Sequence, residues 1–176
     1  MKHPLNDLVV VLPGIMGSSL ADPDGKEVWG TSLGSIVKGV LTRGAAIKRL
    51  QLPVGIGDDP APDGVTATRL MPDIHVIPGI WSVSIGYERL VAWFRETFDV
   101  IEANGAPTPG AANFVQFPYD WRLSNRASAA ALARRVEPLL EQLRAEPGRA
   151  DAKVVFVGHS MGGLVARYYV DVLGGH

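Results

Sequence analysis

The sequence predicts an α/β domain, a parallel sheet flanked by helices. Three observations lead there. A continuous apolar, β-branched run at residues 8–12 reads as a strand buried on both faces, and further strands of similar length read at 113–117 and 153–157. Segments with apolar residues every three or four positions alternate with the later runs. Pro, Gly and Asp cluster at the joins. A strand, a long connection carrying one helix, then strand, helix, strand, helix is the order of a parallel sheet whose crossovers are helical.

Leu8-Val-Val-Val-Leu12 is continuously apolar and stops at Pro13-Gly14, so it reads as the first strand. Residues 13 to 80 hold many Gly, Pro and Asp residues and few clean periods, and 55–64 is loop by composition. Val65 to Leu70 alternates weakly, as a short strand would. Tyr87, Leu90, Val91, Phe94 and Phe98 share one face of a helix. A Pro/Gly-rich turn over 104–110 precedes the strand Asn113 to Phe117. Ser124 or Asn125 then caps a helix from about Arg126 to Ala145, which Pro138 should kink. Lys153 to Val157 is the third strand, and Met161 to Val172 the last helix.

The chain has 176 residues, 47% of them hydrophobic and 20% charged, a composition that excludes disorder. It reads as a single domain, or one domain lacking a piece, with loops and cap-like insertions over about 18–112. A net charge of −1 gives no reason to expect nucleic acid as partner. Without cysteine there is no disulfide and no thiolate zinc site. The run at 8–12 is too short for a signal-peptide core, and no stretch reaches the ~18 apolar residues of a membrane span. The expectation is a soluble, cytoplasmic chain.

Chemistry concentrates at Gly158-His-Ser-Met-Gly162. Gly-x-Ser-x-Gly is weak alone: with 20 Gly and 9 Ser, chance yields it in about one such chain in ten. Its place between a buried strand and a helix is the specific signal, because a strained turn there pushes a serine hydroxyl out at the carboxyl end of a sheet. Gly158 and Gly162 stand where a Cβ would strike a neighbouring strand or helix. Ser160 is the nucleophile candidate, and the Met161 N–H an oxyanion donor at the helix start. The plain alternative is a glycine-rich turn with a capping serine. A phosphate loop fits worse, lacking its Lys-Ser/Thr ending. A second donor should come from a loop after an earlier strand, and Pro13-Gly-Ile-Met-Gly-Ser18 offers one.

"VVLPGIMGSSL", "FPYDWRL" (117–123) and "VVFVGHSMGGLVARYY" together resemble the lecithin:cholesterol acyltransferase family of α/β-hydrolases, which includes lysosomal phospholipase A2-like enzymes and phospholipid:diacylglycerol acyltransferases. The likeness runs over roughly 8–172, the N-terminal part of such a domain. It implies an α/β-hydrolase-type sheet and a lipid acyltransferase or lipase acting on a lipid or other ester through an acyl-enzyme, with neither metal nor organic cofactor. Ser160 matches the family's acyl-accepting serine; Ile15 and Met161 match the two oxyanion donors, acting through backbone N–H. Phe117 to Arg122 reads as scaffold, with Asp120 and Arg122 paired or capping backbone. The mixed apolar and basic segment Gly34 to Leu50 sits where the family carries a lipid-contacting insertion, although a surface helix or cap is the heavier reading. Trp29, Trp81 and Trp93 read as core or cap packing.

A serine needs a base oriented by a third group. After Ser160 come only Asp171, eleven residues along the same helix, and His176. His159 should point away from the hydroxyl; His75 lies upstream, and His3 at a loose terminus. The family draws its Asp and His from later strands. The chain therefore reads as truncated after the elbow and impaired as it stands, the alternative being a non-catalytic fragment or binding module. An uncovered third strand, Val154 to Val157, would favour self-association.

Overall fold

The computed structural model describes residues 1–30, 50–59, 61–72, 86–103 and 110–175. In chain order its elements are β1 (Leu8–Leu12), β2 (Ser18–Ala21), β3 (Glu27–Trp29), β4 (Thr66–Leu70), α1 (Glu88–Thr97), β5 (Phe114–Gln116), α2 (Asn125–Arg144), β6 (Val154–Gly158) and α3 (Met161–Leu173).

β1 is the centre of a parallel sheet ordered β5–β1–β6. Val9 stands opposite Phe114, and Leu8 to Leu12 run in register with Val154 to Gly158. Successive side chains of β1 face opposite ways, and both ways lead into core. Leu8, Val10 and Leu12 join Val115, Leu132 and Val136 of α2, and Val165 and Tyr169 of α3. Val9 and Val11 meet Phe114 with Tyr87, Val91 and Phe94 on and beside α1. All five β1 residues are buried, which is why the run tolerates no polar residue. Truncating any of its leucines to alanine would cost about 2–5 kcal/mol.

α2 begins as the sequence predicts. Ser124 accepts the Ala127 N–H in its side chain at 3.0 Å, and the helix continues past Pro138 to Arg144. β6 forms one residue later than expected. Lys153 instead donates its N–H to the Asp7 carboxylate at 2.8 Å, while its carbonyl receives the Leu8 N–H. The outer edge of β6 has no partner strand among the described residues, and Val155 is 43% exposed. His3 is not loose. It bridges Phe98, its N–H donating to the Thr97 carbonyl and its own carbonyl accepting from Asp99.

The second sheet was only partly foreseen. β2 pairs antiparallel with β3 and with β4, the weak strand at 66–70. β2 and β3 have four and three residues, too few to show alternation. The buried hydroxyls of β2 are satisfied: Ser18 Oγ accepts the Tyr119 N–H at 3.1 Å, and Ser19 donates to Met71 Sδ at 3.8 Å. Most of the segment 34–50, the turn at 104–109, and Trp81, His75 and His176 lie outside the described residues. No helix among the described residues is long and apolar enough to cross a membrane.

Candidate active site

β6 ends at Gly158, α3 begins at Met161, and only His159 and Ser160 lie between. Ser160 has φ +49° and ψ −117°, a conformation that costs an L-residue about 1–3 kcal/mol and lasts only where its surroundings enforce it. Three hydrogen bonds do so: His159 N–H to the Leu12 carbonyl (3.0 Å), Gly162 N–H to the His159 carbonyl (2.9 Å) and Gly163 N–H to the Ser160 carbonyl (3.0 Å). The turn closes because two residues lack side chains. A Cβ on Gly162 would sit 2.5 Å from the Pro13 carbonyl oxygen and 2.6 Å from that of Leu12; one on Gly158 would sit 2.8 Å from Gly163 N and Cα. Ser160 occupies the N-cap position of α3 yet makes no capping bond, against the plain reading of a capping serine. Ser160 is an exposed residue. The first N–H groups of a helix have no partner within it, and Met161 provides the first of α3.

The loop after β1 lies against this turn. A Cβ on Gly14 would come 3.3 Å from Ser160 Cβ and 3.0 Å from His159 Nδ1. Gly17 donates to the Gly14 carbonyl at 3.0 Å, and Met16, third in that turn, has φ +62°, the pattern of a type II turn. Ile15, second in the turn, is exposed, and its N–H has no acceptor among the described residues. The planar trans peptide turns that N–H opposite to the Gly14 carbonyl, out of the turn.

Aromatic side chains hold the loop. Tyr119 donates its hydroxyl to the Pro13 carbonyl at 2.7 Å. Tyr87 Oη accepts the Gly14 N–H at 2.8 Å and lies 2.8 Å from His159 Nδ1, donating to it when His159 is the Nε2–H tautomer. Trp29 Nε1 donates to the Met16 carbonyl (3.1 Å) and Trp121 Nε1 to that of Ser18 (3.3 Å). Burial pushes both tyrosine hydroxyls above their ordinary pKa, so both stay protonated donors at neutral pH.

Asp120 and Arg122 pair as expected, and Asp63 joins them. The Arg122 side chain, 3% exposed, donates through Nε and Nη2 to Asp120 (2.9 and 2.7 Å) and through Nη1 to Asp63 (2.6 Å). Burial alone would lower the Arg122 pKa; the bonds to Asp120 and Asp63 outweigh it and raise it. Asp120 is thus committed to Arg122. Asp171 pairs with Arg167 at 2.8 Å, one turn back on α3. Trp29 packs edge-on against Trp121, whereas Trp93 is half-exposed, contrary to a core role. Tyr87 and Tyr119 escaped the sequence reading, although a tyrosine in an apolar stripe needs a partner for its hydroxyl. No cluster of metal-ligating side chains occurs among the described residues. Two hollows, of about 560 and 610 Å³, flank β5 and β6, and neither borders Ser160.

The model of the lecithin:cholesterol acyltransferase family matches residues 82–174, more than half of the chain, including Tyr87, the 117–122 stretch and the serine turn. No curated protein sequence matches the chain. Among solved structures, a chain of the Tle4–Tli4 complex is similar over 98% of this chain and 43% of its own length, with a TM-score of 0.54 and 21% identity. The chain therefore spans less than half of that structure, and the likeness is one of fold.

Proposed function

This chain belongs to the lecithin:cholesterol acyltransferase family and carries part of an α/β-hydrolase fold, and from that footing we propose that Ser160 is the nucleophile of lipid acyl transfer. In this reading its oxygen attacks the ester carbonyl, the N–H groups of Ile15 and Met161 receive the oxyanion, and the departing alcohol takes up the serine proton. Water or a lipid alcohol then accepts the acyl group. Gly158 and Gly162 serve by leaving room for the turn.

One observation supports this above the others: Ser160 is held at φ +49°, exposed, with Gly14 against it. Strain of this kind gathers where a side chain must be presented. The proton must pass to a base. Among the described residues Asp120 and Asp171 are already paired and His159 directs Nδ1 to Tyr87, so the base is assigned to a group outside them. Fluorophosphonate labelling of the full chain, with Ser160→Ala as control, tests the reading. Label on Ser160 together with turnover of p-nitrophenyl esters upholds it. No label and no turnover favours a non-catalytic binding module, and short- against long-chain esters separate a small-ester hydrolase from a lipase.

A further inference from the structure

Resting on that reading, we propose that Tyr87 is a positioning residue, whose single hydroxyl sets the oxyanion loop in register with the serine turn by binding Gly14 N–H and His159 Nδ1 together. The Pro13–Gly14 peptide is gripped at both ends, its carbonyl by Tyr119 Oη–H and its N–H by Tyr87 Oη. The two groups of a trans peptide point in opposite directions, so this unit cannot rotate without breaking both bonds. The grips differ in what lies behind them. Tyr119 also donates its backbone N–H to Ser18, so it ties one stretch of the loop to another. Tyr87 reaches across to the imidazole of the residue preceding Ser160, and among the described residues its hydroxyl is the one side-chain group that bonds both loop and turn. At 7% exposure it meets little competition from water. Trp29 and Trp121 hold the far end of the loop, at Met16 and Ser18.

Tyr87→Phe keeps the ring and deletes the shared oxygen. Two readouts are needed, Gly14 amide exchange by NMR and fluorophosphonate labelling resolved into reagent affinity and bond-forming rate. We expect Gly14 to exchange about tenfold faster or more. The bond-forming rate should fall about tenfold with affinity unchanged, part of the ~10²–10³ that one oxyanion donor contributes. His159→Asn, which keeps an acceptor near the Nδ1 position, should recover most of what His159→Leu loses; a packing role would not distinguish them. Unchanged Gly14 protection, or a released Gly14 with an unchanged bond-forming rate, overturns the proposal. If the wild-type chain takes no label, the nucleophile reading fails while Gly14 exchange still decides the grip: acceleration upholds it and no change refutes it. Should Tyr87→Phe not fold, His159→Leu cuts the turn-side bond of the same hydroxyl and carries both readouts.

Discussion

Gly162→Ala and Gly163→Ala, one residue apart in α3, should move stability in opposite directions. In a helix alanine is favoured over glycine by about 1 kcal/mol, so propensity alone predicts that both changes stabilise. Space says otherwise for the first. Its new methyl would stand 2.5 and 2.6 Å from the carbonyl oxygens of Pro13 and Leu12, nearly 1 Å inside ordinary contact. Both obstacles are backbone, one belonging to the fully buried β1, so no rotamer change relieves them. Overpacking against rigid neighbours costs roughly 1–3 kcal/mol; with two backbone contacts the upper end applies, and the net loss is about 2 kcal/mol after propensity. The methyl at Gly163 would meet only the Gly158 carbonyl at 3.8 Å, an ordinary contact, so about 0.5–1 kcal/mol is gained. For a chain of this size 1 kcal/mol is about 2–4 °C in Tm. Thermal unfolding followed by circular dichroism should therefore place Gly162→Ala some 4–8 °C below wild type and Gly163→Ala about 1–4 °C above it. Equal shifts in the two variants would refute the steric argument for the turn.

Ser160→Gly should be more stable than Ser160→Ala by about 1 kcal/mol in urea unfolding, because glycine removes the strain at φ +49° while adding ~0.5–1 kcal/mol of unfolded-state freedom. Asp63 is held below its ordinary pKa by the Arg122 hydrogen bond. A lowered folded pKa stabilises above the unfolded value of 3.8 and ceases to do so as pH falls through the folded one. Asp63→Asn should thus cost up to ~1 kcal/mol near neutrality, discounted because this carboxylate is partly exposed, and match wild type once the medium is more acidic than the folded pKa; a constant gap at every pH would refute this. Val155→Lys, on the exposed rim of β6, should reduce any concentration-dependent association seen by sedimentation, since a charged edge resists strand addition.

The parallel layer was legible because burial on both faces demands a continuous apolar run, which 8–12 supplies, and because 154–157 is equally apolar although β6 lies at the edge of the described sheet and is only partly buried. The serine turn was legible for a steric reason. Two missing Cβ atoms at fixed offsets are a requirement that survives in the letters. What the letters hide is the grip on the loop. It joins Gly14 to a hydroxyl 73 positions away and Pro13 to one 106 positions away, and nothing local to the loop announces either. Tyr87 counted only as one apolar position of a helix face, and Tyr119 only as a neighbour of Asp120. β2 and β3 were missed because their pairing, not their own periodicity, defines them. The Asp120–Arg122 pair was foreseen from proximity, but its third member, Asp63, sits in a loop that composition marks only as irregular.

The central strand of the parallel sheet is made well before either of its partners. Leu8–Leu12 lies between two neighbours, Phe114–Gln116 and Val154–Gly158, that are made far later. At ~5–20 residues per second the wait between Leu8 and Val154 is on the order of ten seconds. Until Phe114–Gln116 is made this uncharged, largely β-branched pentapeptide has neither of its eventual ladders, and until Val154–Gly158 is made it lacks one, which leaves it prone to aberrant pairing in the nascent chain. Production of this protein should therefore improve with added holdase chaperone, which covers the strand during the wait, even where the finished molecule is comfortably stable.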